Sequence, residues 1–161
     1  MTTPPRSDPS EAPRIFIDGD ACPVKAEALK VGARYGLPVV IVSNGGLRPS
    51  RNPGVTNVVV PKSADAADDW IAENVRPGEL VVTADIPLAG RVIAKGAHAL
   101  GPNGRPFTPD SISMALAMRD LKQHLRETGE IKGINPGFTK EDRSRFLGEL
   151  DRMARRAKAS R

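Results

Sequence analysis

Asp18 and Asp20 follow directly on the apolar run Ile15-Phe16-Ile17 in the stretch RIFIDGDACP, and Pro23 then stands where it suits the first turn of a helix. This pattern is a buried strand that delivers two carboxylates to its carboxyl end. Two later stretches do the same kind of thing. SADAADDWI places Asp65, Asp68 and Asp69 at the start of a helix, and TADIPLA places Asp85 just past another apolar run. A helix that follows a parallel strand begins at the strand's carboxyl end, so all three segments point to one edge of a sheet. Two full charges about 4 Å apart repel by roughly 4 kcal/mol at an effective dielectric of 20, so converging carboxylates call for a proton or a cation. A hard divalent ion with oxygen ligands, Mg²⁺ or Mn²⁺, is the simplest neutraliser.

Within that set the expected metal ligands are Asp18, Asp65 and Asp85, with Asp20 and Asp68 ligating or orienting water. On a helical wheel Ala64, Ala67, Ile71 and Val75 define the buried face; Asp68 flanks it and Asp69 points furthest away. Each acid also has a plainer role open to it. Asp20 and Asp85 could cap the helices that follow them, Asp65 could complement a helix dipole, and Asp68 and Asp69 could lie on a solvated face. Arg48 and Arg51, in the loop 47–54, are candidates to grip phosphates beside the acids. Cys22 reads as a packed thiol and Trp70 as core.

The elements that must position these residues are strands interleaved with helices, with a loop alone between the second and third strands. Strands are expected at 14–18, 37–42, 55–60, 79–83 and 97–100, and helices at 22–35, 64–75 and 86–95, the first closed by Gly36 and the second capped by Ser63. Two more helices follow, over 111–128 with Ile112, Ala115, Leu116, Met118 and Leu125 near its apolar stripe, and after Thr139 with Phe146, Leu147, Leu150 and Met153. Five strands interleaved with helices give an α/β fold, a three-layer α/β/α arrangement around a five-stranded, mostly parallel, doubly wound sheet. With strand order 3-2-1-4-5, strands one and four adjoin where the winding reverses, and Asp18 and Asp85 face each other there.

The chain of 161 residues suits one domain, with 1–12 as a disordered leader, 13–155 as the folded unit and 156–161 as a basic tail. Aromatics make up only 4%, which fits a Val, Ile, Leu and Ala core between a parallel sheet and helices. A net charge of +5 is compatible with a polyanionic partner. Cys22 is the single cysteine, which excludes an internal disulfide and a cysteine-rich zinc site, and His98 and His124 lack metal-binding spacing. No apolar stretch suits a signal or a membrane span, so a cytoplasmic location is expected.

DGDACP, SADAADDWI and TADIPLA, in this order and spacing, resemble the YaiI/YqxD family of largely uncharacterised bacterial proteins, as do Phe107-Thr108-Pro109 and Met118-Arg119-Asp120. The likeness runs from about Arg14 to about Met153. It implies a PIN-like domain, a group that includes metal-dependent nucleases, and Asp18, Asp20, Asp65, Asp68 and Asp85 match the family's acidic positions, whereas Asp69 looks like a variable one. The leading expectation is therefore a metal-dependent phosphodiesterase acting on RNA in preference to DNA. Two alternatives stand beside it. One is a non-catalytic nucleic-acid or protein binding module with a structural cation. The other is an aspartate-nucleophile phosphatase, because Asp18-Gly19-Asp20 also resembles the acid pair of haloacid dehalogenase-type enzymes and Ser43 fits their phosphate-binding position. Against it, Pro23 leaves no room for their flap, and Asp85-Ile86-Pro87-Leu88-Ala89 supplies no second acid.

Overall fold

The computed structural model describes residues 12–19, 22–45, 54–63, 65–114, 116–118 and 138–159. The apolar runs form β1 (Ile15–Asp18), β2 (Val39–Ser43), β3 (Val55–Val59), β4 (Leu80–Val82) and β5 (His98–Leu100). They lie in one sheet of order β3-β2-β1-β4-β5, every neighbouring pair parallel. Between them run α1 (Lys25–Tyr35), α2 (Ala66–Asn74) and α3 (Ile86–Ala94). Helical residues 109–114 and 116–118 form α4, and α5 is Lys140–Ala159.

Alternation of side chains along the strands sorts the core into two layers. Ile15, Ile17, Val39, Ile41, Leu80 and Val82 face one way and pack with Val24, Ala28 and Val31 of the α1 region and Phe146, Leu150 and Ala154 of α5. Phe16, Val40, Val42, Val81 and Ala99 face the other way and pack with Ile71 of α2 and Leu88 and Val92 of α3. The fold is thus a three-layer α/β/α sandwich with β1 buried on both faces, and Trp70 packs at the second layer with its ring 6.1 Å from that of Phe16.

Several boundaries differ from expectation for local reasons. α1 starts at Lys25 rather than at residue 22: Pro23 and Val24 form a turn, and the Val24 carbonyl accepts the first helical N–H, from Ala28, at 3.0 Å. Gly36 closes it in the left-handed conformation, φ 66°. α2 starts at Ala66, and Ser63 is not a side-chain cap: its carbonyl accepts the Ala66 N–H at 3.3 Å while its own N–H donates to the Pro61 carbonyl, so the backbone closes a turn instead. In α4, Ile112 packs on the core, but Leu116 and Met118 are 39% and 50% exposed. Met118 lies about 240° around the helix from Ile112, off any single stripe. Ala115 and Leu125 lie outside the described residues.

α5 begins with a reciprocal capping box, Thr139 Oγ1 accepting from the Asp142 N–H at 3.0 Å and Asp142 Oδ2 from the Thr139 N–H at 3.1 Å. Its apolar side folds back onto its own domain. The approach is close: a Cβ added at Gly104 would collide with the backbone of Arg145 and Phe146. The helix runs on through residues 156–159, and Arg152 and Arg155 pair along it with Glu149 and Asp151. Among the described residues, no helix is long and apolar enough to cross a membrane.

At the amino edge of the sheet, Arg14 and Glu79, which precede β1 and β4, form a buried bidentate pair, Nε to Oε2 at 2.6 Å and NH2 to Oε1 at 3.0 Å. Glu79 also accepts the backbone N–H groups of Arg14 and Arg76, and Arg14 donates to the Asn74 carbonyl. The guanidinium lies 4.7 Å over the Phe16 ring. This knot ties the starts of two central strands to the end of α2.

Candidate functional site at the carboxyl edge

The same two strands end on acids. Asp18 closes β1, half-buried, and β4 beside it leads through Thr83 and Ala84 to Asp85. Asp85 sits at the cap position of α3, where its Oδ1 accepts the Leu88 N–H at 2.8 Å and Pro87 occupies the first turn. Its backbone N–H donates to Oγ1 of Thr83 at 3.0 Å, and Thr83 is itself buried. One carboxylate oxygen is therefore committed to the helix, and the loop that carries it is pinned by a hydroxyl.

α2 brings the third segment in. Asp65 is exposed at the cap position and makes no side-chain cap bond, while Asp68, one turn further, is half-buried toward the sheet. Burial pushes the Asp68 carboxyl up to about 6. The charges of Asp85 and Asp18 act in the same direction, as do a hydrogen bond with Asp85 and the charge of Asp65. Asp68 thus senses all three of the other described candidates. Asp69 points elsewhere, into an exposed ion pair with Arg91 at 2.8 Å.

Asp20, Arg48 and Arg51 lie outside the described residues, so the structure places Asp18, Asp65, Asp68 and Asp85 alone of the candidate set. An all-carboxylate donor set suits a hard cation. Among the described residues, however, no three His, Cys, Asp or Glu side chains are grouped so as to hold a metal ion.

Sequence reasoning misses two neighbours. Thr83 fixes Asp85, and its signal is a hydroxyl two residues before an aspartate at a strand's end. Lys25 reaches back from the first turn of α1 toward the Gly19 carbonyl at 3.5 Å. Cys22 is partly buried and its thiol is pushed up by burial, against a backbone hydrogen bond at Val24 and the Lys25 charge, so it is a packed thiol rather than an activated one.

A doubly wound parallel α/β domain with aspartates gathered at its central carboxyl edge is the class that this fold and site define. Within it the chain belongs to the uncharacterised bacterial YaiI/YqxD family, whose model matches residues 16–156. It is 69% identical over 146 residues to the UPF0178 protein mlr0875 of Mesorhizobium japonicum, covering 91% of this chain and 94% of the relative. It is 60% identical over 146 residues to the UPF0178 protein Atu1478 of Agrobacterium fabrum, covering 91% and 95%. To the UPF0178 protein amb2838 of Paramagnetospirillum magneticum it is 54% identical over 145 residues, covering 90% and 96%. No solved structure matches the chain.

Proposed function

We propose that the protein is a metal-dependent phosphodiesterase that acts on RNA in preference to DNA at the carboxyl edge of its sheet. The observation that carries this reading is the placement of Asp18 at the end of β1, Asp85 at the cap of α3 and Asp65 and Asp68 at the start of α2 on one edge of the sheet, where burial and the neighbouring acids push the Asp68 carboxyl up. Charge crowded in this way is unfavourable for the fold by itself and becomes favourable when a cation shares it. Asp18, Asp65 and Asp85 would hold the ion, and Asp20 and Asp68 would ligate it or orient water. A bound Mg²⁺ or Mn²⁺ supplies an acidified water and offsets charge on the scissile phosphate. Thr83 keeps the Asp85 loop in place, and Arg48 and Arg51 would hold the backbone of the substrate.

The test is cleavage of a panel of RNA and DNA strands with Mg²⁺, with Mn²⁺ and with chelator, by wild type and by Asp18→Asn and Asp85→Asn. Metal-dependent cleavage that both variants lose supports the reading. Its absence with folded wild-type protein across the panel refutes it. One observation favours a second reading, a binding module without catalysis: the described carboxylates do not close around an ion. Tight RNA binding that survives Asp18→Asn/Asp85→Asn, with no cleavage, would establish that alternative.

A further inference from the structure

Beside the acidic edge, the first turn of α1 meets the start of α5, where Lys25 and Arg143 stand among the acids Glu27, Glu141 and Asp142. The ammonium of Lys25 is 3.5 Å from the Gly19 carbonyl and makes no ion pair among the described residues. A cation in the first turn of a helix stands against the helix dipole, so helix stability does not account for it. Arg143 of α5 spends one nitrogen, NH1, on both Glu27 Oε2 at 2.7 Å and the Pro23 carbonyl at 3.4 Å. Its Nε and NH2 make no hydrogen bond among the described residues. The guanidinium carbon lies 5.0 Å over the ring of Phe138, and Phe138 is 38% exposed.

Phe138 and Arg143 occupy the positions of a hydrophobic staple around the Thr139 cap, where a second apolar side chain is usual. An arginine in that place covers one face of the ring and leaves the pair open to water. The result is an aromatic ring and a guanidinium with spare donors at the start of α5, touching at Pro23 and Glu27 the same turn of α1 from which the Lys25 ammonium reaches Gly19. Phosphates are recognised by such cations, and a ring in such company stacks bases without regard to sequence.

We infer that this surface binds a single-stranded polynucleotide, with Lys25 and Arg143 on phosphates and Phe138 under a base. That it feeds the strand to the acidic edge rests on the phosphodiesterase reading; the binding itself does not. Single strands fit better than duplex, because a base must leave its partner to reach a ring.

The experiment is fluorescence anisotropy with a labelled oligouridylate of about 12 nucleotides, and an oligothymidylate beside it, in Ca²⁺ at several salt concentrations. Phe138→Leu keeps the apolar contact and removes the aromatic face, and it should weaken binding about tenfold. Lys25→Gln and Arg143→Gln should each weaken it several-fold at low salt and lower the salt slope by about 0.7. Arg34→Gln, at the other end of α1 in the exposed pair with Asp151, should leave binding unchanged. Melting temperatures check that each variant folds, and Lys25→Gln breaks no ion pair among the described residues, so it stands if Arg143→Gln does not fold. No binding by wild type, no effect of Phe138→Leu and Lys25→Gln, or an equal loss with Arg34→Gln overturns the inference. Binding through these residues without cleavage would refute the phosphodiesterase reading alone. Cleavage indifferent to all three substitutions would refute this surface alone.

Discussion

β1 and β4 carry charge at both ends, and the two ends are built on opposite terms. At the amino edge Glu79 is buried, yet a bidentate arginine and two backbone N–H groups answer both its oxygens. At the carboxyl edge Asp18, Asp65, Asp68 and Asp85 share one another's field, and Asp68 answers by holding a proton up to about 6. One edge has solved its electrostatics within the chain. At the other, the acids crowd one another, and on the proposed function a cation would relieve them. The contrast locates the candidate site better than a count of acidic residues does, because Glu79 is the more deeply buried acid and is nevertheless structural.

The largest effect of a single substitution is expected at the amino edge. Glu79→Ala leaves Arg14 buried without its partner and should destabilise the fold by about 3–5 kcal/mol, read from denaturant unfolding. At the carboxyl edge, removing an acid should have a smaller effect of opposite sign. Asp85→Asn keeps a good capping side chain and removes a charge, whereas Asp85→Ala also loses the bond to the Leu88 N–H. The Asn variant should therefore be the more stable of the two by about 1 kcal/mol, and no less stable than wild type in chelator.

Asp68 sharpens the contrast through pH. Its carboxyl is raised in the fold, so the folded state binds the proton more tightly than the unfolded chain, and stability from this group falls as pH rises from about 4 through about 6. Asp68→Asn should gain on wild type across that window. The gain should reach about 1 kcal/mol at pH 7.5, below the full linkage value because the group is partly open to water. Equal pH dependence of the two proteins would contradict the crowding. The smallest effect is expected at Asp69, whose pair with Arg91 is exposed. Asp69→Asn should change stability by under about 0.5 kcal/mol and leave cation binding intact.

Much of this was legible in the sequence because the signals are local. Apolar runs such as Leu80-Val81-Val82, the helices between them and the glycine at residue 36 are enough for the elements and the layers, and the common doubly wound order, once assumed, matches the sheet. Asp68 and Asp69 were separable by helical phase alone, and the structure turns them apart as the wheel requires. What stayed hidden depends on distant parts of the chain. Arg14 and Glu79 are 65 residues apart, and neither position has a local pattern that announces a buried pair. Ser63 resembled a cap because its type is right, but the turn at Pro61 hands that position to Asp65. Lys25 reads as an ordinary helix lysine until its ammonium is seen beside Gly19.

Whether a cation completes the carboxyl edge is decided by calorimetric titration of Mg²⁺ and Mn²⁺ into wild type and into Asp18→Asn/Asp85→Asn, with melting temperature followed alongside. Saturable binding by wild type, with a rise in melting temperature that the double variant lacks, is the predicted result. No binding by wild type, with a double variant that melts higher than wild type at every cation concentration, would contradict it: the acids would then only repel one another.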